Sequence, residues 1–390
     1  MFKAAIGHSI DVDSIDAITE VLIQCRKGLG SNIPKAGFLF SAIDHDHEKM
    51  LKFLLKRYPD LQLIGCTTDG ELSSKLGFQD DSVTLILFTS DSIEFGAGLG
   101  EGLSNNITKA CSTAVKLAGK HLINKDIKLA ITTPDSLTVS GVKILNGLSR
   151  ELGRDFPIFG GTAGDQYRMK KTFQFFGDKV YTDSVPVMLI SGAISYSHGI
   201  YSGWTPVGKK LKVTKVKGNI IFEVEKRPAL DLYLHYFGKG STIFGEYPIA
   251  VFNKKSDKFY YIRSPIKFNE KDRSITYSGE VPLNAYIQFA EGTRAEIINA
   301  AKDSVEEALK RFSGSSPEAA LVFSCSARKS LLGTRTRDEF NLIKDVIKKD
   351  IKICGFYTYG EIGACTPCCN SSFHNSTFIT LLLGEEVRKR

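Results

Sequence analysis

Apolar and polar positions divide the chain into short, continuously apolar runs separated by amphipathic segments. One arrangement recurs three times: an apolar run, a helix-like segment, a second apolar run that ends in a glycine-containing bend, and a further apolar run. The opening runs are 36–42, 128–133 and 319–324, and the closing runs are 83–89, 187–191 and 377–383. Continuous apolar runs are typical of strands that are buried on both faces, with amphipathic helices covering them. We therefore predict a mixed α/β (α+β) fold with two related modules of packed mixed β-sheets and helices on the outer faces.

The three bends are similar to one another, because 63–71 reads LIGCTTDGE, 157–165 reads PIFGGTAGD and 353–361 reads ICGFYTYGE. Glycines allow unusual φ angles and a close approach of the backbone to a ligand, whose anionic part can accept backbone N–H groups. The threonines add hydroxyl groups, and the terminal acids can accept hydrogen bonds from a cation or an amine. The predicted ligand-binding residues are Gly65, Thr67, Thr68, Gly70, Glu71, Gly160, Gly161, Thr162, Gly164, Asp165, Gly355, Tyr357, Thr358, Gly360 and Glu361.

A structural interpretation of the same bends stays open. The glycines would then only allow tight turns where two sheets pack, and the acids would hold the local backbone. None of the copies is a Walker loop or a GxGxxG motif, so no nucleotide is indicated.

Two features of the pattern predict chain organisation. The segment 238–245, GKGSTIFG, has the composition of a linker, so we predict domains at 1–238 and 246–385. The runs 83–89 and 93–98 flank the turn residues 90–92 and predict a β-hairpin.

Composition excludes several classes of protein. The chain has 390 residues with 42% hydrophobic and 24% charged residues, which are ordinary values for a globular protein. The net charge of +8 comes mainly from lysines interleaved with acids, which indicates a solvated surface and no nucleic-acid partner. No run of about 18 apolar residues and no signal-peptide core occurs, so we predict no membrane span and a cytoplasmic location.

Cysteines and histidines supply the other candidate sites. Cys365 and Cys368 have a spacing that can close on one metal ion, with Cys369 or His374 as a third ligand. A redox thiol pair and a loop without function are the open alternatives. The acidic, histidine-rich segment 44–48 is interpreted as a helix start with an Asp N-cap, although it resembles a metal site. No triad, paired carboxylates or nucleotide signature is present, so we predict that the chain is not an enzyme.

Several separated motifs, in order, resemble one known family. They are 64–71 (IGCTTDGE), 159–165 (FGGTAGD), 198–219, 355–363 (GFYTYGEIG) and 373–383 (FHNSTFITLLL). The chain resembles FIST proteins, a family of sensory and signal-transduction domains with an N-terminal and a C-terminal part. The resemblance implies sensing of small molecules, for which amino acids have been proposed. A subset, the nitric-oxide-sensing haemoproteins of the NosP type, consists of free-standing chains that bind haem and act on a histidine kinase.

Three functional hypotheses follow from the residues and the resemblance together. The first is a cytosolic small-ligand sensor, with haem as cofactor, nitric oxide as a gas ligand and a histidine kinase or other signalling protein as partner. Its axial ligand would be His374 or His198, which lie beside predicted strand ends. The second is an amino-acid or polar-metabolite sensor without a cofactor that uses the bends, and the third is a metal or thiol scaffold at 365–369. A homodimer is left open.

Overall fold

Three related units and one inserted sheet form the fold in the computed structural model, which describes residues 1–238, 247–347, 350–364 and 370–387. The first unit contains β1 (Lys3–Ser9), α1 (Ser14–Leu29), β2 (Ala36–Ser41), α2 (His47–Arg57), β3 (Gln62–Thr67), β4 (Glu71–Ser73), β5 (Gly77–Gln79) and β6 (Val83–Thr89). The second contains β7 (Ile93–Glu101), α3 (Ile107–Lys120), β8 (Ile127–Thr132), α4 (Gly141–Leu152), β9 (Ile158–Gly161), β10 (Gln174–Phe176), β11 (Lys179–Tyr181) and β12 (Ser184–Gly192).

The third unit begins with β13 (Ile194–Tyr201) and is interrupted by the inserted sheet. The insertion contains β14 (Thr205–Lys217), β15 (Ile220–Val224), β16 (Arg227–Pro228), α5 (Ala229–Phe237), β17 (Ile249–Phe252), β18 (Tyr261–Arg263), β19 (Pro265–Asn269), β20 (Ser274–Tyr277) and β21 (Tyr286–Glu291). The unit then continues with α6 (Arg294–Arg311), β22 (Pro317–Cys325), α7 (Ser326–Leu332), a 3₁₀ turn (Gly333–Arg335), α8 (Thr336–Val346), β23 (Lys352–Thr358), β24 (Glu361–Gly363), β25 (Ser372–His374) and β26 (Phe378–Glu385).

Each unit builds the same four-stranded core, in the orders β1-β6-β2-β3, β7-β12-β8-β9 and β13-β26-β22-β23. The last two strands in each order are parallel to one another. Each bend then sends a two-stranded hairpin to another unit: β4-β5 extends β23, β10-β11 extends β3, and β24-β25 extends β9. This cyclic exchange of hairpins brings the three bends together at one place, which we call the junction.

The first glycine of each bend is required by strand pairing. Gly65, Gly160 and Gly355 lie opposite residues of the parallel neighbouring strand. A Cβ atom at any of the three would lie 1.9 Å from the carbonyl oxygen of that neighbour. The repeated glycine therefore has a packing cause, with or without a ligand.

Side chains that alternate along the strands explain the continuously apolar runs. Phe38 and Phe40 of β2 point into an apolar interior shared by the three sheets, where Phe323 and Phe356 also lie. Leu39, between them, packs outward against α1 and α2. The pairs α3–α4 and α6–α8 contribute to the outer layers of the other two sheets. The mixed α+β fold with packed mixed sheets and outer helices is therefore confirmed.

The predicted hairpin of 83–98 is wrong. β6 pairs with β1 and β2 in the first sheet, whereas β7 pairs with β12 in the second. Residues 90–92 instead connect the first unit to the second. The domain division stays a prediction, because residues 239–246 lie outside the described ranges. None of the helices in those ranges has the length and apolar character that crossing a bilayer requires.

Candidate functional site

Backbone hydrogen bonds join the three bends to one another at the junction. The amide of Asp69 donates to the carbonyl of Tyr357 at 3.0 Å, and the amide of Tyr357 donates to the carbonyl of Gly70 at 2.8 Å. Gly164 N–H donates to Thr67 O at 2.8 Å. The second and third bends are joined by the N–H of Thr162, which donates to the carbonyl oxygen of Gly360 at 2.9 Å. The structure thus brings all three predicted sets of residues together.

The acids of the bends accept hydrogen bonds from nearby protein groups, although Glu361 Oε1 and Asp69 Oδ2 are buried without a partner within the described residues. Glu71 accepts hydrogen bonds from the hydroxyls of Thr68 and Ser82. Glu361 accepts from the backbone N–H and hydroxyl of Thr377, at 3.1 and 2.7 Å. Burial raises the pKa of Glu71 to about 7 and that of Glu361 to about 8, so neutral forms of both are populated near pH 7.

The second bend is held in the same way. Asp165 accepts hydrogen bonds from three consecutive backbone N–H groups, those of Met169, Lys170 and Lys171, and from the hydroxyl of Tyr359. All fifteen predicted ligand-binding residues of the bends are buried. These contacts are the ones that the structural interpretation describes, and a ligand at the bends stays a prediction.

A cleft of about 420 Å³ opens beside the third bend, between the third unit and the inserted sheet. One wall is the end of β13 and the loop to β14, a second is β18, and a third is the first half of α6. His374, the last residue of β25, and Thr377, the residue before β26, also line it. Aromatic rings dominate its apolar lining: Tyr201, Trp204, Tyr260 and Tyr261.

The charged side chains of the cleft lining are acids. Glu296 accepts hydrogen bonds from the N–H and hydroxyl of Thr293, which lower the pKa of its carboxyl group and keep it ionised. The side chain of Asp303 is exposed to solvent and forms no hydrogen bond or ion pair with the described part of the chain. The Nε2 atom of His374 lies 3.1 Å from the carbonyl oxygen of Gly363, and burial lowers the pKa of this histidine to about 4. His374 is therefore neutral at pH 7.

A buried arginine fixes two walls of the cleft. Arg328, which is completely buried, donates to the carbonyl oxygens of Ser202 at 2.6 Å and Ile297 at 2.5 Å. Its charge is balanced by Glu339, at 2.5 Å, whose other oxygen accepts the hydroxyl of Tyr357 at 2.5 Å. Tyr357 belongs to the junction, so this ion pair connects the cleft walls directly to the three bends.

A second buried arginine holds the remaining walls. Arg263 donates at 3.1 Å to the carbonyl oxygens of Ile262 and Phe373 and to the side-chain oxygen of Asn375. Its guanidinium stacks on the ring of Tyr261, 4.3 Å from the ring centroid. β18 is thereby tied to the strand that carries His374, and burial lowers the pKa of this arginine to about 10, which leaves it charged at pH 7.

The predicted cofactor residues fit a haem poorly. His198 does not line the cleft, since its ring packs on Phe159 at 4.9 Å in the interior. His374 lines it with Nε2 next to a carbonyl oxygen. A haem carries two carboxylates, and the lining offers acids where arginine or lysine would be needed. Haem stays a prediction of the resemblance that the described cleft does not support.

The predicted metal ligands cannot be placed. Cys365, Cys368 and Cys369 lie outside the described residues. Within the described ranges, no group of three or more His, Cys, Asp or Glu side chains is placed to hold a metal ion. The segment 44–48 begins α2, with Asp46 as the N-cap accepting from the amide of Lys49, as the helix-start interpretation predicts.

Two family models match the chain, the FIST N domain over residues 35–227 and the FIST C domain over residues 229–364. The chain belongs to the FIST family. FIST domains are associated with the sensing of small ligands in signal transduction. In this FIST chain the cleft draws residues from both matched segments, 200–205 from FIST N and 260–262 and 296–303 from FIST C.

One curated relative of the FIST chain is an uncharacterized protein from Methanocaldococcus jannaschii, 28% identical over 221 residues. The aligned region covers 54% of this chain and 43% of the relative, so the chain spans less than half of that protein's length.

Two solved structures of cyanuric acid hydrolase, one from A. caulinodans, are similar to the FIST chain at 9% identity. Their TM-scores are 0.41 and 0.39, they cover 99% and 98% of this chain, and each hydrolase chain is covered completely. The prediction that the chain is not an enzyme is wrong by this comparison, because both neighbours are hydrolases. A similarity at these TM-scores assigns no reaction to the FIST chain.

Sequence reasoning missed the residues that build the cleft of the FIST chain. Trp204 carried a signal, because it is the only tryptophan of the chain and lies in the segment 203–208, GWTPVG. Arg263, Arg328 and Asp303 carried none, since arginine and aspartate are expected in solvent and their spacing follows no pattern.

Proposed function

We propose that this chain is a signal-transduction sensor whose small ligand binds in the cleft between the third unit and the inserted sheet. The observation that supports the cleft is its composition from both family segments around a space of about 420 Å³. Ligand sites of small molecules have volumes of roughly 300–1,000 Å³ and combine apolar walls with a few polar groups. The aromatic walls with Glu296 and Asp303 have that character.

A route from the cleft to the rest of the molecule accompanies this proposal. Arg328 holds Ser202 and the α6 residue Ile297, and Glu339 holds Tyr357 of the junction. A ligand that moves either cleft wall therefore changes the contacts of a buried ion pair at the centre of the fold. The three units meet there, so a change at the cleft can alter how they are arranged, and a signalling partner can read it.

A screen of polar metabolites tests the proposal, with protein stability and tryptophan emission measured together. Because Trp204 is the single tryptophan and lines the cleft, its emission reports on this place alone. A true ligand should give a saturable emission change and a stabilisation of about 2.7 kcal/mol at 100 times its Kd. Tyr201→Ala, in the cleft, should weaken both responses, and Tyr236→Ala, an exposed tyrosine outside it, should not.

A compound that stabilises the protein without changing the emission of Trp204 would contradict the proposal that the ligand binds in the cleft. Such a compound should then lose its effect in Glu71→Gln, and the bends would be the site. Haem, nitric oxide and a histidine kinase partner stay predictions. An absorbance scan after haem reconstitution, with and without nitric oxide, tests the first two; a Soret band that responds to nitric oxide and changes in His374→Ala or His198→Ala would support them.

A further inference from the structure

The insertion carries most of the positive charge of the chain. Residues 205–291 contain 15 lysine and arginine residues against 9 aspartate and glutamate residues, a difference of +6 within the chain's total of +8. Lysines that lie next to acids contribute little to the field outside a protein, so lysines without acidic neighbours decide where that field is strongest. The insertion is therefore the part of the chain that is most suited to an anionic partner.

One group of exposed lysines lies where β17 is connected to β18. We call this connection, residues 253–259, the basic loop. The group consists of Lys254, Lys255 and Lys258 in the loop and Lys209 in β14. None of the four forms an ion pair within the described part of the chain. In the rest of the insertion the cations alternate with acids along the chain, as in 215–231 and 267–273.

The basic loop is fixed to the sheet by contacts that leave these four lysine side chains exposed. The ammonium group of Lys210, the neighbour of Lys209, donates to the carbonyl oxygens of Lys255 at 3.0 Å and Asp257 at 2.5 Å. Asp257 is the one acid in the sequence of the loop, and its carboxylate accepts the backbone N–H of Lys254 at 2.8 Å. The loop is thereby held beside β14, and its acid stabilises the turn.

An exposed aromatic ring lies at the end of the basic loop. Phe259 is 74% exposed, the largest exposed fraction of any phenylalanine, tyrosine or tryptophan among the described residues. The next residue is fixed, because the hydroxyl of Tyr260 donates to the carbonyl oxygen of Trp204 at 3.2 Å and its ring packs on Phe252. Phe259 is therefore presented to solvent from a fixed base. An exposed apolar ring beside several lysines is the combination with which peripheral proteins bind the surface of an anionic bilayer.

We propose that the basic loop and Lys209 form a docking surface for an anionic lipid bilayer. Phe259 enters the boundary between headgroups and acyl chains, and the four lysines contact the anionic headgroups. A nucleic acid is a poorer fit, because the group contains no arginine for bidentate contacts and one exposed ring cannot stack successive bases. The lysines alone would suit an acidic protein equally well, and the exposed ring is the feature that favours lipid. This inference goes beyond the proposed function and does not depend on a ligand in the cleft.

Co-sedimentation of the full chain with lipid vesicles tests the inference. Vesicles of phosphatidylcholine with about 30% phosphatidylserine should bind the chain saturably, and pure phosphatidylcholine vesicles should bind it at least about tenfold more weakly. Because the lysines are exposed, the binding should weaken as the NaCl concentration is raised from about 0.05 M to about 0.5 M.

Two matched variants each replace three exposed lysines by glutamine. The test variant combines Lys254→Gln, Lys255→Gln and Lys258→Gln. The control variant combines Lys109→Gln, Lys116→Gln and Lys120→Gln, which lie on α3. The test variant should bind the anionic vesicles about tenfold more weakly or less, whereas the control, with the same change of net charge, should bind within about twofold of wild type.

Phe259→Trp distinguishes insertion into lipid from attraction by charge alone. The new tryptophan should shift its emission to shorter wavelength on anionic vesicles and should be quenched by brominated acyl chains. Wild type, whose single tryptophan Trp204 is buried, should show neither change. Phe259→Ala should weaken the binding about fivefold, because the apolar ring is lost.

Three outcomes would overturn the inference: no binding to the anionic vesicles at millimolar lipid, an equal loss of binding in the α3 control, or no quenching in Phe259→Trp. A duplex DNA or a polyglutamate peptide that binds through the same three lysines, when the vesicles do not bind, would also overturn it. The surface would then belong to a nucleic acid or to an acidic protein. Failure of the metabolite screen leaves the vesicle result unchanged, so the two proposals fail separately.

Discussion

The junction and the cleft are built from different kinds of sequence, although Tyr357, Glu339 and Arg328 connect them. The junction is built from three similar sequence segments. Their acids Glu71, Asp165 and Glu361 accept hydrogen bonds from neighbouring hydroxyls and amides. The cleft occurs where the insertion interrupts the third unit, and its lining combines aromatic side chains with the exposed acids Glu296 and Asp303. The first glycine of each repeated bend has a packing cause, whereas the ligand site that we propose lies where the repeat is interrupted.

The largest expected effect comes from breaking the connection between the two regions. Arg328→Met removes the cation from a completely buried ion pair and leaves Glu339 unpaired. Breaking such a pair typically costs about 3–5 kcal/mol of the free energy of unfolding, measured by urea denaturation. Arg335→Met, which breaks an exposed pair with Asp338, is the control and should cost less than about 1 kcal/mol. Equal losses in the two variants would contradict the role of Arg328.

The next largest effect tests whether the junction has a structural role or binds the ligand. Gly355→Ala places a Cβ atom 1.9 Å from the carbonyl oxygen of Val322. Such overpacking costs about 1–3 kcal/mol of the free energy of unfolding. Gly119→Ala, in α3 with open space around it, should be neutral or stabilising by up to about 1 kcal/mol. A stable Gly355→Ala protein that has lost ligand binding would instead place the ligand at the bends.

A third prediction concerns the pH dependence of the buried acid Glu361. Its pKa is about 8 in the folded chain against an ordinary value of 4.5, so between these pH values the folded state binds more protons than the unfolded state. The free energy of unfolding should therefore fall as pH rises through this window, by at most about 1.4 kcal/mol per pH unit from this group. Glu361→Gln should remove that part of the slope.

Comparing the pH dependence of the free energy of unfolding between wild type and Glu361→Gln separates the contribution of Glu361 from those of other groups. Glu71 contributes in the same direction up to about pH 7. The buried histidines His47 and His374, with pKa values of about 4, act oppositely below their ordinary value of 6.5, because they favour unfolding as the pH falls. Identical slopes for the two proteins between about pH 6.5 and about pH 8 would show that Glu361 is ionised in the fold.

The smallest expected effect on the free energy of unfolding is that of a substitution in the cleft. Asp303→Asn should change the free energy of unfolding by less than about 0.5 kcal/mol, because the exposed carboxylate has no described contact to lose. Thermal or urea unfolding without ligand checks this. A large loss of stability would show that Asp303 has a structural role, and the contrast with the junction would disappear.

Local patterns predicted much of the fold. The repeat of strand, helix, strand and bend is present as β2-α2-β3, as β8-α4-β9, and as β22, α7–α8 and β23. The exchange of hairpins could not be predicted from the sequence. Apolar periodicity indicates that 83–89 and 93–98 are strands, but it does not indicate which sheet each strand joins. Which strands pair across the chain depends on contacts that are distant in sequence.

The candidate site was predictable only in part. His374 was singled out beside a strand end and does line the cleft. Arg328 could not be found, because a buried arginine depends on Glu339 and on two carbonyl oxygens that the fold supplies. The bends were prominent because they repeat, and the described contacts give that repetition a structural reason.

A crystal structure of the chain soaked with the metabolite that changes the emission of Trp204 most strongly tests the central claim most directly. We expect electron density for the ligand in the cleft, next to Tyr201 and Tyr260. Density among the three bends, with the cleft empty, would contradict it.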